Sequence, residues 1–148
     1  MSEAATAGVH QTVPILGAMG IQVIESVPGR AEALLPIEPN INHVGMAYAG
    51  SLFSVAEMLG GLLALSSFSL EGYAPLVKSM SINFLKPALT AVRASVEMSA
   101  DEIERVLAEA QATGRSNYEL AANVTDENGV IVATTVGQYQ LRDFRPRA

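Results

Sequence analysis

Between Glu38 and Glu71 the chain carries one carboxylate, Glu57, in the middle of its most apolar run. The stretch from Ile41 to Leu70 opens as a polar loop and turns into a helix candidate at about Ser51. Leu52, Phe53, Val55, Met58, Leu59, Leu62, Leu63, Leu65 and Phe68 leave no polar stripe, so such a helix has to be wrapped on all sides. Its length is near the ~20 residues of a membrane span. Glu57 at its centre, the Gly60-Gly61 pair and the lack of a basic flank favour a protein core instead. A carboxylate in apolar surroundings loses hydration and either neutralises or takes a partner. Glu57 is therefore either half of a buried ion pair, with Lys78 or Arg93, or a working acid.

Composition narrows the classes. The chain has 148 residues, expected as one domain over 1–148, and is 49% hydrophobic with only 16% charged residues. A mean hydropathy of +0.28 implies a large core or apolar surface covered by another subunit. A net charge of −6 leaves no basic patch to meet nucleic-acid phosphates. With no cysteine there is no disulfide, thiolate or zinc–sulfur chemistry, and His10 and His43 are far apart, so no metal site is expected. The first ten residues show no basic region followed by an apolar run, which makes a cytoplasmic location the default expectation.

Periodicity and turn residues order the rest. Thr12 to Gly20 reads as a short helix with Pro14 in its first turn. Ile21 to Val27 and Arg30 to Ile37 read as strands joined at Pro28-Gly29. After a break at residues 71–75, Leu76 to Lys86 alternates, with Met80, Ile82 and Phe84 on one face. Ala91 to Met98 is a fourth strand, and Ser99 with Glu102 sets a capping box for a helix that Gly114 ends. Ser116 to Thr125 and Val130 to Leu141 form a hairpin about Asp126-Glu127-Asn128-Gly129, and Asp143 to Ala148 reads as a loose tail. About six strands, one long apolar helix after the second, and two lesser helices predict an α+β fold: an antiparallel sheet wrapped around that helix.

This order resembles the hotdog fold. Asn42, Gly45, Ala49-Gly50, Leu52, Phe53 and Glu57 are similar to the loop-and-helix pattern of hotdog acyl-CoA thioesterases, roughly N-x-x-G-x-x-H-G-G-x-L-x-x-x-x-D/E. Pro75–Pro87 resembles that family's third strand and D-E-N-G-V-I-V-A-T its final hairpin, while the helix at Asp101–Thr113 resembles thioesterase domains fused to bacterial acetyltransferases. The resemblance implies a homodimer or tetramer that hydrolyses acyl-CoA or acyl-carrier-protein thioesters. It implies no metal and no cofactor beyond the coenzyme A of the substrate, with sites at subunit interfaces. It places Glu57 as the catalytic acid, Asn42 as the residue orienting water, and the Ala49 and Gly50 amides at the thioester carbonyl. Two positions depart from the pattern: Tyr48 stands where histidine is usual, and Ala49 where the first glycine is.

The chemistry of these residue types is consistent with those roles. Free N–H groups at a helix start can polarise a carbonyl, and a desolvated acid can act as general base or nucleophile. Tyr48, Ser54, His43, Lys78 and Lys86 are candidate substrate contacts. Each has a plainer alternative: a loop position for His43, a bond back to its own helix for Ser54, and solvated lysines at 78 and 86. Asn42 can equally shape a turn. A non-catalytic acyl-binding module and an enoyl-thioester hydratase are the competing functions.

Overall fold

The computed structural model describes residues 2–69 and 71–147. Two helices, α1 (Glu3–Thr12) and α2 (Pro14–Ala18), precede the hairpin of β1 (Gln22–Val27) and β2 (Arg30–Leu35). A loop leads into the central helix, whose halves α3 (Ala49–Glu57) and α4 (Leu59–Ser67) meet at Met58. There φ −61° and ψ −21° keep the helical turn. β3 (Tyr73–Phe84), β4 (Val92–Glu97), α5 (Ala100–Thr113), β5 (Arg115–Asp126) and β6 (Ile131–Asp143) follow. The strands form one antiparallel sheet in the order β1-β2-β4-β5-β6-β3.

The sheet curls round the central helix, as its apolar circumference demanded. Leu52, Val55, Leu59, Leu62 and Leu63 are buried against it. Ala31, Ala33, Ala94 and Ala122 on the inner sheet face are buried too, and their small side chains let the helix lie close. Helix Ala49–Ser67 is long and apolar enough to cross a membrane, yet here it is the core element that the sheet covers. The expected helix end at Leu70 lies outside the described residues.

Turn chemistry sits where the residues put it. Ser99 Oγ accepts from the Glu102 N–H at 3.1 Å, and Gly114 ends α5 at φ 84°. Asp126 Oδ1 accepts from Asn128 and Val130 N–H and closes the last hairpin.

Three expectations need revision. The first helix splits: α2 keeps only Pro14–Ala18, and α1 precedes it without a single buried residue, so no apolar stripe announced it. β3 begins at Tyr73 and tolerates Pro75 because it is the outer strand, where a missing N–H breaks no ladder bond; it ends at Phe84 rather than Lys86. The tail is tied down: the Phe144 N–H donates to Gly72 O, and Arg145 pairs with Asp143 at 2.7 Å and lies over the Tyr73 ring.

The two sheet edges are treated differently. α1 covers the β1 edge through three bonds: Ser2 N–H to Val23 O, Val23 N–H to Thr6 Oγ1, and His10 Nε2–H to Ile21 O. The outer edge of β3 has no strand beside it among the described residues.

Candidate active site

Glu57 is half-buried and lines a cavity of about 770 Å³ between α1–α2, the central helix and residues 75–77 of β3. Neither candidate cation reaches it. Arg93 pairs with Glu32 at 3.0 Å, and Lys78 is exposed at the β3 bulge. Among the described residues no basic side chain lies within ion-pair distance of Glu57. Burial alone pushes its carboxyl above the usual value.

Tyr139 fixes the helix at this point. Its hydroxyl donates to the Glu57 backbone carbonyl at 3.1 Å, and its ring stacks on Tyr118 with centroids 5.5 Å apart. Tyr118 in turn donates to Gly60 O at 3.4 Å. Burial raises both hydroxyls well above the ordinary tyrosine value, and the Glu57 charge raises Tyr139 further, so both stay protonated donors. The ring of Tyr139 fits only because Gly60 and Gly137 flank it: a Cβ there would lie 2.0 Å and 2.5 Å from ring atoms. The close approach at Gly60 is thus by a tyrosine from β6. Sequence reasoning missed Tyr139, although a glycine in a strand interior two residues before it signals close approach.

The start of the central helix is the second half of the site. The N–H groups of Ala49 and Gly50 have no acceptor among the described residues, as expected of a helix's first turn. Tyr48 is the cap residue, donates its N–H to Asn40 O at 2.7 Å, and makes no side-chain cap. Its ring lies against Gly50, where a Cβ would come within 2.5 Å of it. Asn42 Oδ1 accepts from the Val44 and Met46 N–H groups at 3.0 and 3.1 Å and so shapes the loop. Its Nδ2 has no acceptor among the described residues. His43 is exposed in the same loop. Ser54 lines the cavity while its hydroxyl donates back to Gly50 O at 2.8 Å. Lys78 and Lys86 are exposed and line no part of the cavity.

Glu57 and Ser54 therefore share the cavity, while Asn42, His43, Tyr48, Ala49 and Gly50 gather at the helix start. Seven residues separate Gly50 from Glu57, about 10 Å of helical rise, and both lie on one helix face. Among the described residues no three of His, Asp and Glu cluster as a metal site would require.

The chain is 34% identical to a protein of Pseudomonas aeruginosa whose structure is described as that of a probable thioesterase; the match covers 95% of this chain and 94% of that one, with a TM-score of 0.89. A thioesterase from Haemophilus influenzae shares the fold at 13% identity and a TM-score of 0.75, covering 96% and 93% of the two chains. A thioesterase family protein from Silicibacter pomeroyi does so at 20% identity and 0.73, covering 93% and 96%. The α+β arrangement is that of the hotdog thioesterases. No curated protein matches. Residues 2–140 match a family described as a domain of unknown function, DUF4442, and the chain belongs to that family.

Proposed function

We propose that this protein is a thioesterase that hydrolyses acyl-CoA or acyl-carrier-protein thioesters. The observation that carries the reading is Glu57: among the described residues, a carboxyl without a cation, raised by burial, facing a largely apolar cavity on the helix face that begins with two N–H groups lacking acceptors. The thioester carbonyl oxygen is polarised by the Ala49 and Gly50 amides. Glu57 takes a proton from water as the water oxygen bonds to the carbonyl carbon; the C–S bond then breaks, and the thiolate leaves and is protonated. Direct attack by Glu57 would pass through an anhydride instead. Asn42 supplies its free amide N–H at the loop, and the substrate itself brings the coenzyme A.

One chain alone is short of a complete site by this reading. A reacting carbonyl carbon has to lie near both the acid and the oxyanion donors, and about 10 Å of helix separates them. A second copy with its central helix antiparallel would set its Glu57 beside the first copy's helix start. The surface supports a partner: Val44 and Tyr48 are exposed at the helix start, and Phe84 is exposed on the outer strand β3. We read the protein as a homodimer or a tetramer built from such dimers.

A non-catalytic acyl-binding module is the second reading, favoured by the Tyr48 ring lying over Gly50 at the helix start. Thiol release from short, long and aromatic acyl-CoA substrates separates the two. Turnover that falls at least a hundredfold in Glu57→Gln supports hydrolysis at this acid. Saturable binding without thiol release by wild type supports the module.

A further inference from the structure

The cavity does not stop at Glu57. It continues along α4, and its far wall is α1, the helix that ties down the β1 edge. Hydrogen bonds fix the order of the walls. Ser26 donates to Leu62 O and Ser66 to Val27 O, so the end of β1 lies beside α4. α1 runs back along β1, with Thr6 at Val23 and His10 at Ile21. Ala5 and Gly8 are thus the part of α1 toward α4, and Thr12, with Val13 just beyond the helix, the part toward α3.

Two glycines in this lining lack a packing explanation. Gly8 in α1 and Gly61 in α4 are interior helix positions, where glycine weakens a helix relative to alanine. A Cβ at either would meet no atom within 4 Å, in contrast to Gly60 and Gly137, which make room for Tyr139. Both line the cavity without filling it, Gly8 at an exposed position of its wall. Its lining is mostly apolar, with Thr12, Ser26, Ser54 and Ser66 as its hydroxyls, and Glu57 is its sole charged residue among those described.

We propose that this hollow seats the acyl tail, and that Gly8 and Gly61 set the acyl class: an unbranched, uncharged aliphatic chain lying along α4. The proposal rests on the thioesterase reading, which puts the carbonyl end near Glu57. Eight residues from Glu57 to Leu65 give about 12 Å of rise, room for an extended tail of roughly eight to ten carbons. α1 is then a selecting wall as well as an edge cover.

The test is binding rather than turnover. Butyryl-, decanoyl- and phenylacetyl-CoA are titrated calorimetrically into Glu57→Gln, with and without Gly8→Leu, which suits a helix and projects into the hollow. Decanoyl-CoA binds at least tenfold more tightly than the other two, because each added methylene is buried. Gly8→Leu cuts the decanoyl-to-butyryl preference at least tenfold, and Gly8→Ala cuts it partially. A preference unchanged by Gly8→Leu, equal losses at both lengths, or no saturable binding of decanoyl-CoA overturns the proposal. So does a Gly61→Leu variant that changes molecular mass in solution while its chain preference stays put, since a second copy would then fill the groove. Wild-type thiol release is read separately. A Gly8-dependent preference without thiol release leaves the tail seat standing and sinks the thioesterase reading; release with a Gly8-independent preference does the reverse.

Discussion

At the scale of single residues, Glu57 was the strongest signal in the sequence, and its surroundings explain why. A charge kept on an otherwise apolar helix needs a reason, and of the two cations that offered a structural one, Arg93 is engaged with Glu32 and Lys78 is exposed. Its raised carboxyl has a thermodynamic consequence. The folded state holds the proton to higher pH than the unfolded chain, so the folded state loses stability as pH rises from the usual carboxylate value through the raised one. Denaturation midpoints of Glu57→Gln should lack that decline, and wild-type kcat/KM should climb across the same window as the base is freed. Roles that depend on a side chain's partners were not legible: the letters could not say that Asn42 spends its oxygen on the loop, or that Ser54 bonds back to Gly50. Ser116 offers a plainer case. Its hydroxyl is buried without a partner among the described residues, and Ser116→Ala should raise stability by about 1 kcal/mol in a denaturant titration.

At the scale of elements, whatever had a strong period or a capping residue was readable, and whatever lacked both was not. The α5 capping box, the Asp126–Gly129 turn and the alternation of β4 sit where residue chemistry puts them. α1 escaped notice because none of its residues is buried and its attachment is by hydrogen bonds to a strand edge. The adjacent glycines in α4 could not be told apart in sequence, yet they differ. Gly60→Ala drives a methyl into the Tyr139 ring and should cost 1–3 kcal/mol or more, roughly the range for overpacking a core. Gly61→Ala meets open space and should stabilise the chain by about 0.4–1 kcal/mol. Paired thermal melts of the two variants check the contrast.

At the scale of the whole molecule, one sheet edge is covered and the other is bare, and the helix face carrying the acid is open on the same side as β3. An apolar composition announced a covered surface; which surface it was depended on which strand ended at the edge, and that is set by pairing across the fold. The central claim is that one chain's Glu57 works with another chain's helix start, and mixing two variants tests it most directly. Glu57→Gln removes the acid. Ala49→Pro removes an oxyanion donor at a position where proline suits the first turn and Tyr48 already has the extended backbone that proline requires before it. Each variant alone should lose at least a hundredfold in thiol release. Unfolded together and refolded at equal amounts, they should recover about a quarter of wild-type activity, because half the dimers are mixed and each mixed dimer has one intact site. A mixture as inert as its components, or full activity in either variant alone, would contradict the account.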